Sequence, residues 1–354
     1  MKSSSPTSPV IAAIDLGYGF TKYSVHTAGK TIEDSFPSFA PSASGAQALG
    51  GSGALSKLRV VSVEVNGKIY LVGVDSVNAS DGRQERHRDP AYCTSDTYHA
   101  LTLGALSYMR QPVIDVLVLG LPLSTLATYK DLVEKKFVGK MAIPASHTLG
   151  VENGPSTVEI KRVLVVPQPA GALLSMASAH PDLKECTNLV VDLGYYTMDF
   201  LCTNGMRPLP ARSGAVEGGM AGFYDELHNA TSIAYTKQFP ELKGEFRMGH
   251  SNYEKAIQTG NVLRTSAGPL NLNDSIALAS SKIDQYLDAV AAKVGNTDDI
   301  INVVLAGGGA SLLAPRFQAR FPRMRNLLIP AKPQYAIVQG YITAGQSVLG
   351  AHKQ

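Results

Sequence analysis

The sequence predicts an α/β protein of about two domains, duplicated so that each half opens on the same acidic hairpin. Three observations predict it. VIAAIDLGYGFTKYSV (residues 10–25) and NLVVDLGYYTMDFLC (188–202) both carry an apolar run into Asp-Leu-Gly-Tyr and resume it after a tight turn. Each is followed by alternating strand and helix patterns, the signature of layered α/β folds. The chain has 354 residues, room for about two domains.

Residues 10–16 and 19–26 read as two strands joined at Gly17-Tyr18-Gly19, where glycine supplies the positive φ of a tight turn. A third strand follows near 31–37. The Ala-, Ser- and Gly-rich stretch from 40 to 57 reads as a flexible loop. RVVSVEVNGKIYLVG (59–73) is a hairpin turned by Asn66-Gly67. The charged run DGRQERHRD (81–89) reads as a solvated loop, with a basic contact surface as the alternative. A helix near 95–110 leads into the buried strand VIDVLVLGLP, and the alternating charges of STLATYKDLVEKKFV mark another helix. RVLVVPQPAGALLSMASA reads as strand, loop and helix.

The second half restarts with strands at 188–193 and 196–203 and continues through helices near 218–230, 251–259 and 275–294. INVVLAGGGASLLAPRFQARF (301–321) is a buried strand, a glycine turn and a helix, and PQYAIVQGYITAGQSV closes the chain as a helix. This is duplication at domain scale, not a solenoid of short repeats.

Composition narrows the function classes. The chain is 44% hydrophobic and 17% charged, ordinary for a soluble globular protein. Its net charge of +3, from 32 basic and 29 acidic residues, gives no reason to expect a large footprint for direct nucleic-acid binding. Cys93, Cys186 and Cys202 are scattered and form no C-x-x-C pair, which predicts free thiols in a reducing compartment and argues against zinc. MKSSSPTSPV has no apolar signal core and reads as a disordered tail. The longest apolar stretches are broken by Asp, Gly or Pro and are too short to span a bilayer. A cytoplasmic protein with no membrane contact is expected.

An acidic glycine turn has a definite chemistry. Glycine lets the backbone approach an anion closely, and its N–H groups can cradle phosphate oxygens. A carboxylate beside that cradle repels phosphate unless a divalent cation stands between them, and Mg²⁺ does so while keeping several waters. Two such turns across a cleft would grip a triphosphate from both sides, with Asp15 and Asp192 holding the hydrated metal. Lys22, seven positions after Asp15 on the returning strand, would reach the phosphates as a point charge. Gln168 stands between two prolines at the end of an apolar strand; it is either a plain loop amide or, beside a triphosphate, a device for orienting attacking water. Gly307, Gly308 and Gly309 are either a tight turn or a flat contact for a ligand. Neither common glycine fingerprint for nucleotides, the P-loop or G-x-G-x-x-G after a strand, is present.

The order of these pieces resembles the actin-like ATPase superfamily. IDLGYGFTK is similar to its first phosphate motif and VVPQPAGALL to its first connecting motif. VVDLGYYTMDF resembles the second phosphate motif, VVLAGGGASLL the adenosine motif and PQYAIVQGYI the second connecting motif. The five cover residues 10–345. Within the superfamily, the short length and DLGYGFTK look most like the plasmid-segregation actins of the ParM (StbA) type, with archaeal and PRTRC-type single-chain actins also similar.

The resemblance implies the actin-like, ribonuclease-H-like duplicated fold around a nucleotide cleft. Domain I would cover 10–170, with a smaller inserted subdomain near 38–95 and the closing helix 335–350 returning to it. Domain II would cover 171–334, with a smaller subdomain near 218–295. The resemblance also implies ATP or GTP with Mg²⁺, Asp15 and Asp192 as metal-water aspartates, and Gln168 as the water-positioning residue. Gly17, Tyr18, Gly19, Lys22, Gly194, Tyr195 and Thr197 would surround the phosphates, and Gly307, Gly308 and Gly309 would form the nucleoside turn. Tyr18 and Tyr195 replace the small or polar residues many members carry; their rings either pack outward or narrow the pocket.

The function so implied is a cytoskeletal, filament-forming ATPase that polymerises with Mg-ATP, depolymerises after hydrolysis and serves plasmid partition. Its partners would be itself and a DNA-binding adaptor at a centromere-like site. A sugar- or acetate-type kinase on the same fold is the alternative; it requires a carboxylate base, for which the cleft motifs offer no convincing candidate. A heat-shock-type chaperone is disfavoured because the sequence ends at residue 354, just after the closing helix.

Overall fold

Two central sheets are built on one plan. They belong to a computed structural model that describes residues 8–43, 58–79, 89, 91–144, 156–324 and 326–351. In the first half, β1 (Ile11–Leu16), β2 (Phe20–Thr27) and β3 (Lys30–Pro37) run antiparallel. Next come the hairpin β4 (Val61–Val65) and β5 (Lys68–Val72), helix α1 (Asp96–Met109), the short β6 (Val113–Ile114), β7 (Val116–Leu121) and helix α2 (Leu123–Phe137). β8 (Gly139–Ala142), β9 (Thr157–Ile160), β10 (Val163–Pro167) and helix α3 (Gln168–Met176) complete this half. β1, β7 and β10 pair in parallel, so the sheet order is β10-β7-β1-β2-β3.

The second half repeats the plan. β11 (Thr187–Leu193) and β12 (Thr197–Asn204) form the hairpin, edged by β13 (Arg207–Pro208) and β14 (Gly214–Glu217). Helices α4 (Gly219–Gln238) and α5 (His250–Gln258), hairpin β15 (Val262–Thr265) and β16 (Gly268–Asn271), and helices α6 (Asn273–Ala279) and α7 (Ser281–Val294) follow. β17 (Asn302–Ala306), helix α8 (Ala310–Arg320) and β18 (Asn326–Leu328) lead to the last helix, α9 (Ala336–Ala351). β17 lies parallel to β11, and β18 parallel to β17, as β7 lies parallel to β1 and β10 to β7.

Strand alternation sends side chains to separate cores. In β1, Ala12, Ile14 and Leu16 join the core of the first half, while Ile11 and Ala13 face a core shared by both sheets. In β17, Val303 and Leu305 join the second core, while Val304 and Ala306 face the shared one. Ala172 and Leu173 of α3 and Ile337, Val338, Tyr341 and Ile342 of α9 fill that shared layer. The chain thus returns to its start through a helix packed between the sheets.

Several expectations need correction. Gln168 does not lie in a loop: it is the first helical residue of α3, and Pro169 is tolerated behind it because first-turn N–H groups have no intrahelical partner. The expected helix over 275–294 is two helices broken at Ser280, whose hydroxyl donates back to the Ile276 carbonyl at 2.6 Å, competing with the backbone ladder. α4 runs on to Gln238. The strands β6, β8, β9 and β13 to β16 are too short to show alternation in the sequence. Asn66 and Gly67 do turn their hairpin with φ of 50° and 74°, as a type I′ turn requires. Residues 44–57, 81–88 and 1–7, the expected loops and tail, lie outside the described residues.

Candidate functional site

The two acidic hairpins occupy matching places in the two sheets. In the first, Asp15 on β1 is paired in register with Lys22 on β2; in the second, Asp192 on β11 is paired with Asp199 on β12. Both turns open onto one cavity of about 440 Å³, lined among others by Asp15, Gly17, Tyr18, Gly19, Lys22, Gln168, Asp192, Gly194, Tyr195, Thr197 and Gly308. Of the residues singled out in the sequence, only Gly307 and Gly309 are not on its wall.

Gln168 reaches the cavity because β10 runs parallel beside β7 and ends level with β1. Its Nε2 donates to Asp15 Oδ1 at 3.0 Å, while Lys22 Nζ donates to Asp15 Oδ2 at 3.1 Å. Asp15 is only 2% exposed and has both carboxylate oxygens engaged. Burial alone would push the Lys22 ammonium down, but the charges of Asp15 and Asp192 outweigh it and raise its pKa. Lys22 stays charged.

The second hairpin is electrostatically different. Burial lifts the Asp192 carboxyl to about 7; Lys22 pulls against that, and Asp15 and Asp199 push with it. Burial also lifts Asp199 to about 6, although the Thr197 hydroxyl donates to its Oδ2 at 2.5 Å. One oxygen on each, Oδ1 of Asp192 and Oδ1 of Asp199, is buried with no hydrogen-bond partner among the described residues. When the carboxyls are ionised these oxygens only accept, and they then need a donor or a cation. They fit a hydrated divalent cation: its waters would donate to them, and its charge would draw off their protons. Among the described residues, no group of three or more His, Cys, Asp or Glu side chains is placed to hold a metal ion directly.

These shifts set a pH dependence. A carboxyl whose folded pKa lies above its ordinary 3.8 keeps its proton in the folded state and loses it on unfolding. The nucleotide-free protein therefore loses stability as pH rises from that value through about 6 and 7. Asn at 192 mimics the protonated acid. Asp192→Asn is expected to melt above the wild type by a margin that is already present at about pH 5 and widens until about pH 7, as the linkage relation requires for a group raised from 3.8 to about 7. Melting curves that stay parallel across that range, measured without metal, would contradict this.

The glycines act by close approach, not by the expected positive φ in the first turn, where neither Gly17 nor Gly19 has one. A Cβ on Gly19 would lie 2.9 Å from Tyr195 Cβ, so the two turns touch at this point. Gly307 does take φ of 87°, and a Cβ there would lie 2.3 Å from Asp192 Oδ1. Gly307 thus makes room for the carboxylate. A Cβ on Gly309 would strike Leu193 Cδ2 at 2.4 Å, whereas one on Gly308 would meet nothing within 4 Å. Gly308 alone of the three faces the cavity.

Tyr18 and Tyr195 line the cavity and pack into other rings. Tyr18 lies 5.3 Å from Tyr92 and 5.6 Å from Tyr196, while Tyr195 lies 4.8 Å from Tyr196. Tyr195 Oη also bonds His250 Nδ1 at 2.8 Å, and His250 Nε2 bonds Asp225 Oδ1 at 2.9 Å. An aromatic chain therefore links the two turns and ties the second to α4 and α5.

Sequence reasoning missed Asp199, Glu254 and Gln258, which share the cavity wall. Asp199 had a signal: it follows Asp192 at the same seven-residue spacing at which Lys22 follows Asp15. Glu254 and Gln258 are four apart on α5 and so share a helix face. Nothing local in the sequence turns that face toward the cleft.

Two family models match the chain: the N-terminal domain of actin-like proteins over residues 13–171, and the C-terminal domain of the archaeal MreB-like actin homologue over residues 190–319. No curated protein sequence matches it. Among solved structures it is similar to apo pSK41 ParM, with a TM-score of 0.69 at 17% identity over 98% of this chain and 100% of that one. It is similar to Ta0583, an archaeal actin homolog in complex with ADP, with a TM-score of 0.71 at 20% identity over 96% and 99%. It is also similar to the 15-stranded ParM filament from Clostridium botulinum, with a TM-score of 0.68 at 18% identity over 96% and 99%. At these identities the likeness is one of fold.

Proposed function

We propose that this chain, which belongs to the actin-like proteins, is a filament-forming ATPase that assembles with a Mg²⁺-nucleoside triphosphate and disassembles after hydrolysis. The observation that carries this reading is the hydrogen bond from Gln168 to Asp15. It joins a polar amide to a metal-compatible carboxylate at the floor of a cavity flanked by two phosphate-sized turns. Mg²⁺, when bound, would neutralise phosphate charge beside Asp15 and Asp192. The chain's own groups do the rest: Lys22 meets phosphate oxygens as a fixed positive charge, the turn amides cradle them, and Gln168 orients water.

The ADP bound to Ta0583 and the filament formed by the C. botulinum ParM support the two parts of the reading, nucleotide and polymer. A role in DNA segregation would fall to a separate DNA-binding adaptor, because a net charge of +3 gives the chain as a whole little attraction to a polyanion. Phosphate release tests both parts together. Release should require Mg²⁺ and rise more steeply than linearly with protein concentration, because assembly precedes it. Release strictly proportional to concentration would remove the polymer from the account, and no release from ATP or GTP would remove the enzyme.

A further inference from the structure

The closing helix delivers a side chain to the site that no motif announces. Asp15, Gly120 and Gln168 stand at the ends of three neighbouring parallel strands, β1, β7 and β10: Ile14 is paired with Leu119, and Val166 with Gly120. The Gln168–Asp15 hydrogen bond therefore spans Gly120. The space a side chain at 120 would fill is taken by the hydroxyl of Tyr341 from α9. It lies 1.7 Å from the position of an added Cβ, and Gln168 Cγ lies 3.0 Å from the same point.

Tyr341 has no exposed surface, and its hydroxyl has no hydrogen-bond partner among the described residues. The helix that carries it is closely packed. Gly340 sits against Gly171 of α3, where an added Cβ would lie 1.7 Å from the Gly171 carbonyl oxygen. Burial pushes the Tyr341 phenol far above its ordinary value, with Asp15 adding to the effect, so the group remains a neutral hydroxyl and a donor. Buried hydroxyls are nearly always satisfied, and one without a protein partner among the described residues, set beside Gly120 and Gln168 at the cavity's edge, is ordinarily met by a buried water.

We propose that Tyr341 is a positioning residue: its hydroxyl, through one buried water, holds the Gln168 amide against Asp15 in a single orientation. Nε2 then stays on Asp15, and Oε1 is left to orient the water of hydrolysis. A polar site group is held to a productive geometry by such a supporting contact. The kinetic consequence rests on the hydrolysis reading above; the water itself does not.

Two measurements test this. A crystal structure of the nucleotide-free wild type, at a resolution that shows single waters, should place a water within hydrogen-bond distance of Tyr341 Oη and of Gln168 or Asp15. In Tyr341→Phe that water should be gone and Gln168 should take more than one rotamer. In solution, Tyr341→Phe should lower kcat for phosphate release on the order of tenfold, the worth of one hydrogen bond, with KM little changed. In a Gln168→Ala background the same change should cost less than about twofold, because the two act as one unit. A Tyr341 hydroxyl bonded to a protein group or left dry would overturn the inference, as would additive effects of the two substitutions. If the wild type releases no phosphate, the hydrolysis reading fails, and the buried water alone decides this inference.

Discussion

Asp15→Ala is expected to reduce Mg²⁺-dependent phosphate release by at least about 10³, since a carboxylate that positions a catalytic metal supports several kcal/mol of charge stabilisation. Asp15 carries more of the site than any other group. It is the joint partner of Lys22 and Gln168, so its removal strands a mostly buried ammonium and frees the amide at once. Loss of one partner of a buried pair is destabilising in itself, and Asp15→Ala should also melt below the wild type. Asp192→Ala makes the instructive contrast. Its carboxyl is buried, Oδ1 has no hydrogen-bond partner among the described residues, and burial together with Asp15 and Asp199 outweighs the attraction of Lys22, so truncation should cost activity on a similar scale without lowering the melting temperature above neutral pH. Circular dichroism would confirm that each variant is folded. Wild-type phosphate release from either folded variant would sink the metal-site assignment.

Gln168→Ala is expected to slow phosphate release by roughly 10² to 10⁴, the usual contribution of a positioned group to a proton-transfer or hydrolytic step. Lys22, Asp15 and the turn glycines remain in place, so nucleotide affinity should change far less than turnover. If polymers assemble best with the triphosphate and come apart after hydrolysis, the variant's polymers should outlive those of the wild type. The check is light scattering after a limited pulse of nucleotide, with phosphate release followed in parallel. Slow release with longer-lived scattering is the expected pair. Slow release with scattering that decays at the wild-type rate would uncouple assembly from hydrolysis and contradict the cycle.

What could be read from the sequence was what local chemistry encodes. Asp15, Lys22 and Asp192 lie on hairpins whose apolar runs and glycine turns are visible in fifteen or so residues, and the hairpin register alone brings Asp15 beside Lys22. Gln168 was legible as a polar residue at a strand end, but its first-turn place in α3 was not, because two prolines look like a loop until the second is placed where its missing N–H is harmless. Glu254 and Gln258 on α5, and Tyr341 beneath Gly120, could not be found that way. Each reaches the site only through packing between segments distant in sequence. The glycines were legible as close-approach positions, yet which atoms they approach, Tyr195 for Gly19 and Asp192 for Gly307, is a tertiary fact.

If one cleft couples nucleotide to self-assembly, high-speed pelleting of the purified protein will show it. The protein would be spun across a range of concentrations with Mg²⁺ and ATP or GTP, with Mg²⁺ and the corresponding diphosphate, and with nucleotide plus a chelator. A pellet is expected above a critical concentration with the Mg²⁺-triphosphate, little with the diphosphate and none with the chelator, and the triphosphate-dependent pellet should be lost in Asp15→Ala. Protein that stays in the supernatant under every condition, or that pellets equally without nucleotide and in Asp15→Ala, would contradict it.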